Sequence, residues 1–90
     1  MKELLTYIAQ SLVDHPEQVE VTQRQGDGET LLELRVASED MGKVIGRHGK
    51  IAKAIRTVMK AAAAPSGLHV RVDILDSDEI SAEDSAIDGE

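Results

Sequence analysis

Ninety residues, 41% of them hydrophobic and 30% charged, suffice for one small domain and leave no room for a multidomain enzyme. No cysteine is present, which excludes disulfides, thiolate metal sites and a cysteine nucleophile and fits a reducing, cytoplasmic address. The net charge of −7 speaks against a polyanionic partner only until it is divided: residues 76–90 hold seven acids and no base, residues 1–75 hold ten of each, and residues 41–60 hold six bases and no acid.

Taken in chain order, Leu4, Leu5, Ile8, Ala9, Leu12 and Val13 follow the i, i+4, i+8 spacing of a helix with one buried stripe, which Asp14-His15-Pro16 ends. Val19 and Val21 alternate with Glu20 and Thr22, and Leu32, Leu34 and Val36 alternate with Glu33 and Arg35. This predicts two half-buried strands joined by a turn at Gly26-Asp27-Gly28. Ser38 is the expected N-cap of a short helix over about 40–46, with Glu39 and Asp40 set against its positive end. Gly46-Arg47-His48-Gly49 interrupts the chain. A second, longer helix then follows, with Ile51, Ile55, Val58 and Ala62 on its core face and Lys50, Lys53, Arg56 and Lys60 opposite. Pro65-Ser66-Gly67 stops that helix, and Val70, Val72 and Ile74 predict a third strand. No run approaches the ~18 apolar residues of a membrane span, so no membrane association is expected. From Asp76 onward no apolar stripe could repay ordering, and the expectation is a folded domain over residues 1–75 with an acidic disordered tail over 76–90.

The chemistry is concentrated in Val44-Ile45-Gly46-Arg47-His48-Gly49-Lys50-Ile51. Two glycines can adopt positive φ and, lacking Cβ, let a sugar-phosphate strand approach the main chain. The helix opening at about Gly49 turns unpaired N–H groups and the positive end of its dipole toward the same place, where Arg47, Lys50 and Lys53 add full charges. The site suits an extended anion better than a compact one. A Walker loop would need glycine where Val44 stands and a hydroxyl where Ile51 stands, and the dinucleotide fingerprint fails because Gly42, Gly46 and Gly49 are spaced four and three and lie between helices. No nucleophile–base pair, metal-ligand spacing or paired carboxylate is evident, so neither catalysis, nor a cofactor, nor a small-molecule substrate is expected.

The Val44–Gly49 run, within the longer stretch 41–56, resembles the Ile-Gly-x-x-Gly signature of a KH domain. Its commonest form has isoleucine three residues after the second glycine, whereas here Ala52 holds that place and Ile51 precedes it. Ile51 is expected to keep the core role. Over residues 1 to about 75 the chain resembles the bacterial KhpA family of stand-alone KH proteins. Two strands and a helix before the loop match the type II arrangement. The resemblance implies an α+β fold, α-β-β-α-α-β, with a three-stranded sheet packed by helices on one face. It further implies that Gly46, Arg47, His48 and Gly49 clamp the backbone of about four single-stranded nucleotides, with bases in a shallow aliphatic groove between the loop-flanking helices and a strand edge that involves Lys43, Val44 and Ile45. Members of that family are RNA chaperones that pair with a larger KH-containing partner (KhpB) and influence cell elongation and envelope homeostasis. For this chain that implies single-stranded RNA as ligand, and a homodimer or a heteromer with a second KH-containing protein.

Simpler readings stand beside these. Gly46 and Gly49 could form an ordinary turn between helices, although one glycine usually serves for that. Arg56 and Lys60 are expected on a solvated helix face that extends the positive field. His48 is expected as a neutral loop donor, since His15 and His69 lie on other elements. With Tyr7 the sole aromatic residue, an RNA reader here lacks the ring platforms of other modules. The acidic tail is expected to solubilise, or else to fold back on the six bases and compete with RNA. A protein-interaction adaptor that does not need RNA remains the alternative function. Duplex binding by a helix-turn-helix fits less well, because the charge gathers at a loop and a helix start.

Overall fold

The computed structural model describes residues 1–76. Helix α1 spans Lys2–Leu12, strand β1 Glu20–Gly26, strand β2 Glu29–Val36, helix α2 Met41–Ile45, helix α3 Lys50–Ala63 and strand β3 Val70–Asp76. Single 3-10 turns precede β1, α2 and α3 and follow α3. The element order is the expected one. Residues 77–90, with most of the acidic tail, lie outside the described residues. Asp76, which composition assigns to that tail, is instead the last residue of β3.

Strand β2 is central, antiparallel to β1 and parallel to β3. Gly26 pairs with Glu29 across a two-residue turn in which Gly28 takes φ 70°, a conformation glycine adopts without steric cost. Val21, Leu34 and Ile74 share one cross-strand row, and Leu32 pairs with Val72 in the next. Successive side chains alternate between the faces of a sheet, so one register puts all of these on one side. There they pack with Leu5 and Ala9 of α1, Val44 of α2, and Ile55, Met59 and Ala63 of α3. The helices therefore cover one face of a three-stranded α+β sheet, as predicted. The opposite face carries Thr22, Arg24, Leu31, Glu33, Arg35, Arg71 and Asp73. Glu33 is buried there with Oε1 3.5 Å from the Arg24 guanidinium.

Three local expectations are corrected. Ser38 does not cap α2; its hydroxyl donates to the Asp76 carboxylate at 2.6 Å and ties the entry of α2 to the end of β3. Asp40 stands at the N-cap of α2, at its positive end as expected, but it is a fully buried carboxylate with partners of its own. Its Oδ1 accepts from the Asp14 N–H at 3.1 Å and its Oδ2 from the His15 N–H at 2.9 Å. Two backbone donors left where α1 stops are thereby satisfied by the segment that leads into the glycine loop. The third concerns α3. Its buried residues are Ala52, Ile55, Met59 and Ala63, whereas Val58 is 46% exposed and Ile51 only half-buried. The core face is thus rotated from the one that the larger side chains suggest. Ile51, Ala54 and Val58 are left beside Leu4, Tyr7, Ile8 and Leu12 of α1, lining a shallow apolar groove. Tyr7 is 70% exposed on it.

Candidate nucleic-acid interface

Helix α2 ends where Gly46 adopts φ 76°, ψ 173°, a region essentially closed to residues with a Cβ. The Gly46 N–H donates to the Gly42 carbonyl at 2.9 Å and its own carbonyl accepts from the Gly49 N–H at 3.1 Å. His48 then takes φ 58°, ψ 24° and Gly49 φ 73°, ψ 15°. Two consecutive left-handed residues reverse the chain so that α3 starts at Lys50. The strain at His48 carries no signal in composition; histidine is among the few non-glycine residues enriched in that region.

The two glycines are needed for different reasons. A Cβ on Gly46 would lie 2.6 Å from Ile51 Cγ1 and 2.9 Å from both its Cβ and Cδ1, whereas a Cβ on Gly49 would meet nothing within 4 Å. Gly46 is therefore an internal packing requirement, filled by Ile51. Gly49 leaves open space on the outside of the bend. Ala52 holds the buried position where the commonest signature has isoleucine, so the register of the motif is ordinary, while Ile51, half-buried, packs against the core and fills the space beside Gly46.

The charges on α3 are sorted by face. At about 100° per residue from Ile55, Arg56, Lys60 and Lys53 fall at roughly 100–160° and Lys50 at about 220°, while Ile51, Val58 and Ala54 fall at about −40° to −100°. The buried residues lie between these arcs, at about 0–80°. The helix has three faces, not two: core, basic and exposed apolar. Arg56 identifies the basic side, because its Nε donates to the Val72 carbonyl of β3 at 3.1 Å. It is thus less free than a solvated side chain. The apolar arc faces α1.

Among the described residues, Lys43 alone of the six bases in 41–60 has a carboxylate partner, Asp14 at 3.3 Å. Arg47, His48, Lys50 and Lys53 are exposed around the open side of Gly49. The structure therefore gathers Gly46, Arg47, His48, Gly49, Lys50 and Lys53 at one bend, and engages Lys43 with the end of α1. Val44 is buried and Ile45 half-buried, so the first belongs to the core. No side chain caps the start of α3, and its first turn contains no acid. Cations at that end oppose the helix dipole, each at a cost of about 0.3–1 kcal/mol. Uncapped N–H groups, unpaired cations and the open space at Gly49 are the features that favour an anion at a helix start.

A family profile described as KhpA/KhpB, KH domain, matches residues 2–74. The chain belongs to that family. It is 57% identical over 75 residues to the RNA-binding protein KhpA of Clostridium acetobutylicum, covering 83% of this chain and all of the relative. It is 52% identical to the RNA-binding protein KhpA of Treponema pallidum, covering 83% of this chain and 94% of that one. With the RNA-binding protein KhpA of Listeria monocytogenes the identity is 43%, over 84% of this chain and all of the relative. The α-β-β-α-α-β order and the glycine bend are thus a KH fold and its signature loop. No helix among the described residues is long and apolar enough to cross a membrane.

Proposed function

We propose that this chain binds single-stranded RNA without catalysing a reaction on it, gripping the phosphate backbone at Gly46-Arg47-His48-Gly49 with help from Lys50 and Lys53. The observation that carries this reading is the electrostatically uphill start of α3. Two lysines occupy the first turn of an uncapped helix, beside Arg47 and the open face of Gly49. An external polyanion offsets that arrangement and nothing in the described fold does. The names of the relatives, all RNA-binding proteins, point the same way. A grip on about four nucleotides is weak alone, which suits an RNA chaperone or post-transcriptional regulator working in the cytoplasm as part of a larger assembly.

Pairing would raise avidity without new contacts to RNA. The apolar groove between α1 and α3 supports such pairing, with a second copy or with a larger KH-containing protein, in a complex that acts on cell elongation and envelope homeostasis. The groove meets the basic site only at Lys50, which lines its loop end, while Arg47, Lys53, Arg56 and Lys60 lie outside it. It also favours the second reading, an adaptor whose loop is dispensable.

Changing both Arg47 and His48 to aspartate decides between the readings. Loss of RNA crosslinking in cells with the fold intact is the expected result. A folded variant that crosslinks as well as the wild type would refute RNA binding through the loop. Undiminished partner capture after loss of crosslinking would assign assembly to the groove.

A further inference from the structure

The basic side of the interface has no acid to answer it within the described fold, and the sequence supplies one outside it. Arg47, Lys50, Lys53, Arg56 and Lys60 have no carboxylate partner among the described residues. Residues 77–90 hold Asp78, Glu79, Glu83, Asp84, Asp88 and Glu90 and no base. We propose that residues 77–90 dock on the glycine loop and the first turns of α3 as an intramolecular competitor of RNA. This regulation rests on the RNA-binding reading above, since it acts on the same site.

The fold fixes where the acidic segment starts. Strand β3 runs parallel to β2, and its last residue, Asp76, pairs with Val36. Two residues past Val36, the Ser38 hydroxyl donates to the Asp76 carboxylate at 2.6 Å. The chain therefore leaves the sheet beside the segment that leads through α2 into the glycine loop. Helix α2 lies against both β3 and α3, and its five residues rise only about 7.5 Å. The fourteen residues of 77–90 can span at most about 45–50 Å. The loop is within that reach, and so is the basic arc, which rises about 15 Å from Lys50 to Lys60.

Tethering gives weight to a weak contact. A segment attached this close acts at an effective concentration on the order of millimolar, so a contact with a Kd of only ~0.1 mM between separate molecules would close the site about 90% of the time. A phosphate strand and a carboxylate segment cannot both neutralise Arg47, Lys50 and Lys53. RNA then meets a competent site in about one molecule of ten, and its apparent affinity falls about tenfold. Every RNA is discounted by the same factor, so ligands held through only a few phosphates are the first to be excluded.

The acids also lie outside what the relatives share. The family profile ends at residue 74, and the matches to the Clostridium acetobutylicum and Listeria monocytogenes proteins take in all of each relative but only 83% and 84% of this chain. Those RNA-binding proteins manage without such a segment, as a role in regulating the site, in contrast to one in building it, requires.

The test changes Asp78, Asp84 and Asp88 to asparagine and Glu79, Glu83 and Glu90 to glutamine in the full 90-residue chain. A control chain instead loses the charge of six exposed acids of the domain, Glu3, Glu17, Glu20, Asp27, Glu29 and Glu39, and so reaches the same net charge. Amide resonances of the three chains are compared without RNA. Anisotropy of a labelled uridine octanucleotide then measures affinity at about 50 mM and about 500 mM salt, the second of which screens exposed carboxylates strongly. Between the wild type and the first variant, amide differences are expected at residues 46–53. That variant should bind about tenfold more tightly than the wild type at the lower salt and within twofold of it at the higher, while the control gains less than threefold. Equal affinities of wild type and variant at the lower salt, or a gain that the control matches, overturn the competitor. Amide differences confined to the open face of the sheet place the segment elsewhere and overturn it equally. Each of these results leaves loop binding standing, whereas failure of all three chains to bind the octanucleotide overturns the RNA reading and the competitor together.

Discussion

Gly46→Ala and Gly49→Ala are the same chemical change three residues apart, and the loop geometry assigns them different consequences. At Gly46 the methyl would be forced into φ 76°, ψ 173°, a strain of about 1–3 kcal/mol. It would also come within 2.6 Å of Ile51, an overpacking cost of about 1–3 kcal/mol. The sum, roughly 2–6 kcal/mol, is a large part of the ~4–11 kcal/mol expected for a domain of this size. At Gly49 the methyl meets open space and only the left-handed backbone is penalised, by about 1–2 kcal/mol. Urea denaturation followed by circular dichroism measures both. Gly46→Ala should have much the lower midpoint at unchanged slope, and a double-mutant cycle with Ile51→Ala should recover about 1 kcal/mol as two of the crowding atoms disappear. Equal costs at the two glycines, or strict additivity in the cycle, would refute the assignment of Gly46 to packing. The functional order is the reverse. Gly49→Ala remains folded, yet its methyl stands where the RNA backbone approaches, so RNA affinity measured by anisotropy should fall about tenfold, or ~1.4 kcal/mol.

Other perturbations read other parts of the structure. Arg47→Ala should flatten the dependence of log affinity on log salt by about 0.7, one phosphate contact on a single strand, in titrations across a salt series. Asp40→Asn keeps one acceptor oxygen and sets an amide donor against a backbone N–H. It should destabilise the fold by about 1–3 kcal/mol in denaturant melts, while RNA affinity at low temperature stays unchanged. Val58→Lys places a charge on an exposed position of the α1/α3 groove. Melting should shift by no more than about 0.5 kcal/mol, and any self-association seen by sedimentation should be lost. A variant that still associates would move the pairing surface elsewhere.

The legible parts of this chain were those set by local rules. Period-2 alternation in Glu29–Val36 and Val70–Asp76 announced strands because one face of each is buried, and the glycine turn at Gly26-Asp27-Gly28 fixed the antiparallel pairing of β1 with β2. The loop was legible because two glycines three apart, flanked by six bases, have few other uses. The buried tether that Asp40 makes was missed because it depends on N–H groups 25 and 26 residues earlier in the chain, and an acid before a helix has an adequate local explanation in the dipole. The left-handed His48 had no local signal either.

The misreading of α3 has a different cause. Its apolar residues from Val58 through Ile55 to Ala63 cover an arc of about 140°, wider than the ~100° stripe a helix needs to face a core. Periodicity shows that such an arc exists but not which part meets the sheet. Reading by helical spacing selected Ile51, Ile55, Val58 and Ala62. Packing selected Ala52, Ile55, Met59 and Ala63, the residues on the side of α3 that meets β3 and the core. The larger residues were left on the α1 side, together with Tyr7 and Leu12. A domain with so little apolar material has no internal reason to leave its bulky side chains in water. The surplus arc is therefore the part of the sequence that the fold of one chain does not explain, and it is the surface that the proposed pairing would cover.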